Sequence, residues 1–259
     1  MIHLPLPNGR SMPALGLGTW NLRDNDCVAV VRMALQAGYR HIDTAEMYGN
    51  ETEIGQALAD SGVPREELFL TTKVWTNHHR EKDFIRAAED SLRRLKTDHV
   101  DLLLIHWPNE AVALEETLRA LSRLAHQGKT LSIGVSNFPL ELLKKAQALA
   151  DRPIACDQVP LSLDHPQDAL LPYAFQQKVV VCAYTPLEKG KFLGRRDLAE
   201  IGKRHGKTPA QVALRWLIQQ GGIAAIPKAA GSLHLRENIG IFDFELTAEE
   251  MELLKAPRN

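Results

Sequence analysis

The chain has 259 residues, 44% hydrophobic and 24% charged, with a formal net charge of −1. That length and composition suit one globular α/β domain, and the near-zero charge argues against nucleic acid or a membrane surface as partner. The start, MIHLPLPNGR, lacks a signal-peptide apolar run, no stretch approaches membrane-spanning length, and the three scattered cysteines (Cys27, Cys156, Cys182) read as reduced thiols of a cytoplasmic protein, with no CxxC or histidine cluster to hold a metal.

Residues 1–13 are expected to form a β-hairpin with Asn8-Gly9 as a type I′ turn. Eight short apolar runs follow, at 14–18, 41–43, 68–74, 100–107, 131–138, 154–159, 179–186 and 223–228. Several are apolar on both parities, as parallel strands buried on both faces must be. Helical patterns lie between them. Residues 24–37 start at an Asp cap and stop at Gly38; 51–60 and 80–95 follow, the latter with a 3.6-residue apolar stripe. Further helices are expected at 113–128, 139–150 and 165–178, where Pro172 should kink or break the last. Residues 195–206 and 208–220 make a helix pair, the second with a Thr cap and Pro at its first position, and 247–256 opens on a Thr247…Glu250 capping box. Strands alternating with helices at near-regular spacing predict an α/β fold, a (β/α)8 TIM barrel with an N-terminal hairpin, as one domain over 1–259. A doubly wound open sheet is the alternative; against it, Gly16-x-Gly18 lacks the third glycine of a dinucleotide fingerprint.

In such a barrel the strand C-termini carry the site. The runs end in Asp43, in Lys73 then Trp75, in His106 then Trp107, in Ser136-Asn137, in Asp157-Gln158, in Tyr184 and in Lys228. Each has an ordinary structural use alone: a solvated lysine, a loop histidine, a capping carboxylate. Together on one rim they exceed what a packed scaffold needs. The stretch HIDTAEMYGNE (41–51) adds a phenol, Tyr48, in the loop beyond Asp43. Tyr48 is a poor acid with a pKa near ~10, which a neighbouring Lys73 ammonium should pull down while Asp43 keeps that lysine charged and oriented. His106 can donate a hydrogen bond to a carbonyl oxygen. Four such groups around one oxygen suit a carbonyl that gains a hydride at carbon and a proton at oxygen.

The motifs GLGTW (16–20), HIDTAEMYGNE (41–51), TTKVW (71–75), VDLLLIHWP (100–108), GVSNF (134–138), Tyr184-Thr185-Pro186-Leu187 and IPK…EN (226–238) together resemble the aldo-keto reductases over nearly the whole chain. The resemblance implies a metal-free barrel that binds a nicotinamide cofactor across its rim and reduces small carbonyls. It implies Tyr48 as general acid, tuned by Lys73 and Asp43, with His106 orienting the carbonyl. Ser136, Asn137 and Gln158 would hold the carboxamide, and Tyr184 would stack on the nicotinamide. Gly18, Thr19, Asp43, Thr185 and Leu187 would line the cofactor path. Lys228 would meet the adenosine 2′ position, and Glu237 and Asn238 would lie near the adenine. Trp20, Trp75 and Trp107 would join Tyr48 and His106 as walls for the substrate. Members that favour NADPH usually carry Ser or Thr after the strand-8 lysine and Arg six residues on; here those positions are Ala229 and His234, so NADPH use with appreciable NADH use is expected. The short tail suggests an open pocket for small or polar carbonyls. Overall similarity is to short bacterial 2,5-diketo-D-gluconate and methylglyoxal reductases, and a monomer is expected. Two other functions compete: a regulatory barrel that binds cofactor with little turnover, and a barrel hydrolase or isomerase using Asp43 and His106.

Overall fold

The computed structural model describes residues 1–191 and 194–255. Strands β1 (His3–Pro5) and β2 (Ser11–Pro13) form the expected hairpin, with Leu4 opposite Met12. Its turn is not type I′. Gly9 N–H donates to the Leu6 carbonyl (3.0 Å), Leu6 N–H donates to Arg10 (2.8 Å), and only Gly9 of the Asn8-Gly9 pair has positive φ (+82°). Pro7 explains the difference, because its fixed φ suits the second position of a type I turn that a left-handed glycine then closes. Asn8 is left free to donate to the Leu131 carbonyl (2.8 Å) and to Ser132 Oγ (2.9 Å), which seats the hairpin against a barrel strand.

The barrel strands are β3 (Leu17–Gly18), β4 (His41–Asp43), β5 (Phe69–Val74), β6 (Val100–Ile105), β7 (Thr130–Ser136), β8 (Ile154–Pro160), β9 (Val180–Tyr184) and β10 (Ile223–Ala225). Each pairs in parallel with the next. The first and last meet: Leu15 bridges Ala225, Gly16 N–H donates to the Ala225 carbonyl (2.9 Å) and Gly18 N–H to that of Pro227 (3.2 Å). Closure requires glycine at 18, where a Cβ would lie 2.6 Å from the Ile226 carbonyl oxygen. Every residue of β5 and β6 is buried, as strands covered on both faces require.

Helices α1 (Asp24–Gln36), α2 (Glu51–Ala59), α3 (Glu81–Leu95), α4 (Leu114–His126), α5 (Leu140–Leu149), α6 (Leu170–Gln176), α7 (Arg196–His205), α8 (Pro209–Gln219), α9 (Ser232–Ile239) and α10 (Ala248–Lys255) intervene between or follow the strands. The stripe on α3 buries Phe84, Ala87, Ala88, Leu92 and Leu95. The Thr208 cap on α8 and the Thr247…Glu250 capping box on α10 form as expected; Ala256, the last position assigned to α10 from sequence, lies outside the described residues. Three expectations need correction. The cap of α1 is Arg23, with Asp24 already in the first turn, where its charge meets the helix dipole. Helix α6 starts only at Leu170, so Pro172 falls in its first turn, where its missing N–H has no intrahelical partner to lose; it neither kinks nor breaks the helix. Helix α9 was not expected, being one short segment rich in polar residues. Among the described residues no helix is long and apolar enough to cross a membrane.

Asp157 on β8 is buried, and neither carboxyl oxygen makes a well-formed hydrogen bond. Burial pushes its pKa well above the carboxylate range, against a downward pull from the Phe138 backbone. A raised folded-state value means the carboxyl's favourable contribution is complete below its unfolded pKa and is lost as pH rises toward the folded one. Asp157→Asn, neutral at every pH, is therefore expected to match the native chain in stability near pH ~4 and to gain on it by about 1.4 kcal/mol per pH unit above that, until Asp157 ionises. Denaturant melts of both proteins across that range check this; a constant difference would mean that Asp157 is charged in the folded protein.

Candidate active site

Asp43 ends β4 and Lys73 lies near the end of β5, with the register placing Thr71 beside Asp43 and Lys73 two residues further on the same face. Lys73 is fully buried. Its ammonium donates to Asp43 Oδ1 (2.6 Å) and the Thr44 carbonyl (2.9 Å) and reaches the Tyr48 hydroxyl at 3.4 Å. All three N–H groups are thus aimed. Burial alone would lower the lysine's pKa, but the Asp43 charge and Tyr48 outweigh it and the net shift is upward, so Lys73 stays an ammonium. Tyr48 goes the other way from expectation. Burial raises its pKa, the Lys73 charge lowers it, and burial prevails, leaving the phenol above its ordinary value. The expected downward pull is present and is outweighed.

Tyr48 ends a 3-10 turn, Glu46–Tyr48, closed by Gly49 at φ +65°. Buried Asn50 fixes the loop from beneath: it accepts from Thr44 Oγ1 (2.9 Å) and donates to the carbonyls of Thr19 (2.9 Å) and Leu22 (3.1 Å), tying the β3 and β4 rim loops together. His106 follows β6, its N–H donating to the Val74 carbonyl (3.1 Å). Its imidazole stands edge-on to Tyr48 (centroids 5.7 Å apart) and to Trp75 (4.9 Å), while Trp20 lies 5.0 Å from Tyr48. Burial first, then the positive charge of Lys73 and the neighbouring His79, push the His106 pKa down to about 3. The ring is neutral at physiological pH. Its Nδ1 is buried without a partner, so Nε2 is the nitrogen left for a ligand.

The opposite half of the rim is tied into the same network. Gln158 Nε2 donates to Asp43 Oδ2 (2.7 Å), and Ser136 Oγ donates to the Gln158 carbonyl (2.8 Å). Asn137, itself at φ +62°, donates through Nδ2 to the His106 carbonyl (3.1 Å) and to Ser136 Oγ (3.0 Å), and accepts at Oδ1 from the Tyr184 hydroxyl (2.8 Å).

A cleft of about 780 Å³ runs across this rim. Its walls include Trp20, Tyr48, Trp75, His106 and Trp107 at one side, Ser136, Asn137, Gln158 and Tyr184 along the floor, and Gly18, Thr19, Asp43, Thr185, Leu187 and Lys228 along the remainder. Lys73 sits beneath. The cleft also takes in Asn21, Met47, Pro186, Glu188 and Lys189, to which sequence reasoning gave no role although each lies within a motif or one or two residues from one. Besides Lys73, four expected residues do not line it. Ala229 is buried, Asn238 is buried beside the Tyr39 phenol, and exposed His234 pairs with Glu237 (3.0 Å) along α9. Among the described residues no group of acidic, histidine and cysteine side chains could hold a metal ion.

The model of the aldo/keto reductase family matches residues 14–258. Methylglyoxal reductase DkgB of Escherichia coli O157:H7 is 39% identical over 249 residues, covering 95% of this chain and 93% of that protein. A crystal structure provisionally described as a 2,5-diketo-D-gluconic acid reductase B superposes with a TM-score of 0.96 at 44% identity, over 98% of this chain and 91% of that one. The silkworm aldo-keto reductase AKR2E5 in complex with NADPH superposes with a TM-score of 0.93 at 36% identity, over 98% and 86%. The relatives are reductases, and a barrel kept only for regulation finds no support among them. The chain is a carbonyl-reducing oxidoreductase and belongs to the aldo/keto reductase family.

Proposed function

We propose that this enzyme reduces small carbonyls, with methylglyoxal and diketo sugar acids as the substrate classes, using NADPH and, less well, NADH. The observation that carries the reading is the buried Asp43–Lys73–Tyr48 chain opening into the cleft beside His106. The floor fits a nicotinamide. Gln158 commits its amide nitrogen to Asp43 and Asn137 commits its own to His106 and Ser136, so what remains open is acceptor capacity, suited to the two N–H donors of a carboxamide. Tyr184 offers an aromatic face held by its hydroxyl, and the cations Lys189 and Lys228 suit phosphates at the far part of the cleft. A bound reduced nicotinamide supplies the hydride.

The chain's own residues supply the rest. His106 Nε2 holds the carbonyl oxygen and shares its developing charge. The Tyr48 hydroxyl donates its proton to that oxygen, and Lys73 stabilises the phenolate left behind. Asp43 keeps Lys73 oriented. Trp20, Trp75 and Trp107 keep the reacting carbonyl out of bulk water. The reading also takes the enzyme as a monomer of the cytoplasm; three buried free cysteines suit a reducing compartment.

Tyr48→Phe is expected to lower carbonyl reduction about 10²–10⁴-fold while nicotinamide affinity, followed by tryptophan quenching, holds steady; undiminished turnover would remove Tyr48 from the mechanism. The pH profile separates two roles for His106. A neutral hydrogen-bond donor with its pKa near 3 leaves kcat without an inflection at the ordinary histidine value of ~6.5, whereas an imidazolium acid would lose activity as pH rises through it. For cofactor choice, His234 gives an imidazole already paired with Glu237 where a guanidinium could grip a 2′-phosphate. His234→Arg should raise the ratio of kcat/KM for NADPH over NADH, and a ratio that does not move would show that position 234 does not reach the phosphate.

A further inference from the structure

Glu46 takes no part in the proton chain, yet its side chain is only 9% exposed. It opens the Tyr48 turn and reaches sideways to the next rim loop. There its Oε1 accepts the Trp75 backbone N–H, and His78 Nδ1 donates to Oε1 (3.1 Å) and Oε2 (3.3 Å). Trp75 is the residue preceding the 3-10 turn Thr76–His78, and that turn has no side-chain cap of its own. Glu46 thus satisfies the backbone N–H of the residue from which that turn starts, and does so from a neighbouring strand's loop. The consequence lies one contact further in. Trp75 packs edge-on against His106, and His106 packs edge-on against Tyr48. One carboxylate thus holds the loop that carries the phenol against the loop that backs the imidazole.

We propose that Glu46 is a positioning residue for carbonyl reduction: by locking the Trp75–His78 turn onto the Tyr48 turn it sets the spacing between the Tyr48 hydroxyl and His106. This rests on the reading that those two groups meet one carbonyl oxygen. Both must be placed at once, and a misplacement of about 1 Å costs up to about 10²-fold in rate. The other supports of the Tyr48 loop do not substitute for it. Asn50 and Lys73 hold that loop from below, and Arg23 donates to the Tyr48 carbonyl, but none of these hydrogen bonds reaches Trp75.

The test compares Glu46→Ala, Glu46→Gln and His78→Ala in the full chain. Glu46→Ala is expected to lower kcat about tenfold with KM, cofactor affinity and melting temperature close to native. Glu46→Gln keeps an Oε1 that can accept the Trp75 N–H and should recover most of kcat, and His78→Ala should leave kcat within about twofold because the backbone contact survives. Unchanged kcat in Glu46→Ala overturns the proposal. So does a loss that glutamine fails to rescue, or one shared equally by cofactor affinity and melting temperature, which would mark a merely structural residue. Tyr48→Phe, measured alongside, separates the two readings: undiminished turnover there sinks the assignment of the acid, whereas a normal loss there with no effect at Glu46 sinks only the brace.

Discussion

A lysine ammonium with no solvent exposure can exist at the top of this barrel only because Asp43 lies 2.6 Å away. An unpaired charge at that depth would cost several kcal/mol and would shed its proton instead. The pair is satisfied on both sides. Lys73 spends its remaining protons on the Thr44 carbonyl and the Tyr48 hydroxyl, and Asp43 spends its second oxygen on Gln158 from β8, across the barrel. A single ion pair therefore connects the β4, β5 and β8 strand ends. The closed parallel sheet is what makes this possible, since it turns residues far apart in sequence into neighbours on one rim.

From Gln158 the ordering spreads along the floor. Ser136 is tied to the Gln158 carbonyl, Asn137 to Ser136 and to the His106 carbonyl, and Tyr184 to Asn137. Each polar group is held before any ligand arrives, so little reorganisation is needed when one does. The phenol side and the floor are not separate devices. His106 presents its ring to Tyr48 and its carbonyl to Asn137, and so belongs to both.

Most of this arrangement was legible because the barrel rule converts a linear pattern into a place: polar residues at the ends of buried runs share one rim. Asp43, Lys73, His106, Ser136, Asn137, Gln158 and Tyr184 were found that way, since each adjoins or closes one of the eight short runs. What was missed depends on distance in space, not on pattern. Glu46 looks like an acid at the start of a turn, where dipole and solvent explain it; its contact with Trp75 exists only once β4 and β5 are paired. Helix α9 is eight residues long with Leu235 and Asn238 as its buried positions, too short a stripe to show a period. The hairpin turn was misread because Asn8-Gly9 was weighed without Pro7, whose fixed φ selects the other turn. The α1 cap failed for a related reason: an acidic residue at a helix start serves the dipole as well from the first turn as from the cap.

The sign of the Tyr48 shift bears on how the chemistry is divided. Sequence reasoning expected Lys73 to stabilise the phenolate and so to pull the Tyr48 pKa down. In the folded protein burial holds the Tyr48 pKa above its ordinary value and pushes that of His106 down to about 3. On the proposed assignment of Tyr48 as the acid, the acid is thus loaded and the imidazole uncharged before reaction, and Lys73 is the fixed positive charge within reach of the Tyr48 oxygen. Its attraction to a neutral phenol is small. Its attraction to a phenolate 3.4 Å away in a site screened from water is large. On that assignment, the burial that raises the Tyr48 pKa also strengthens the Lys73 charge as the proton leaves, so the lysine favours the transferring state over the resting one. With Tyr48 as the proposed acid, that difference is what Lys73 contributes to the step, and it is the same downward pull on the Tyr48 pKa that burial outweighs at rest.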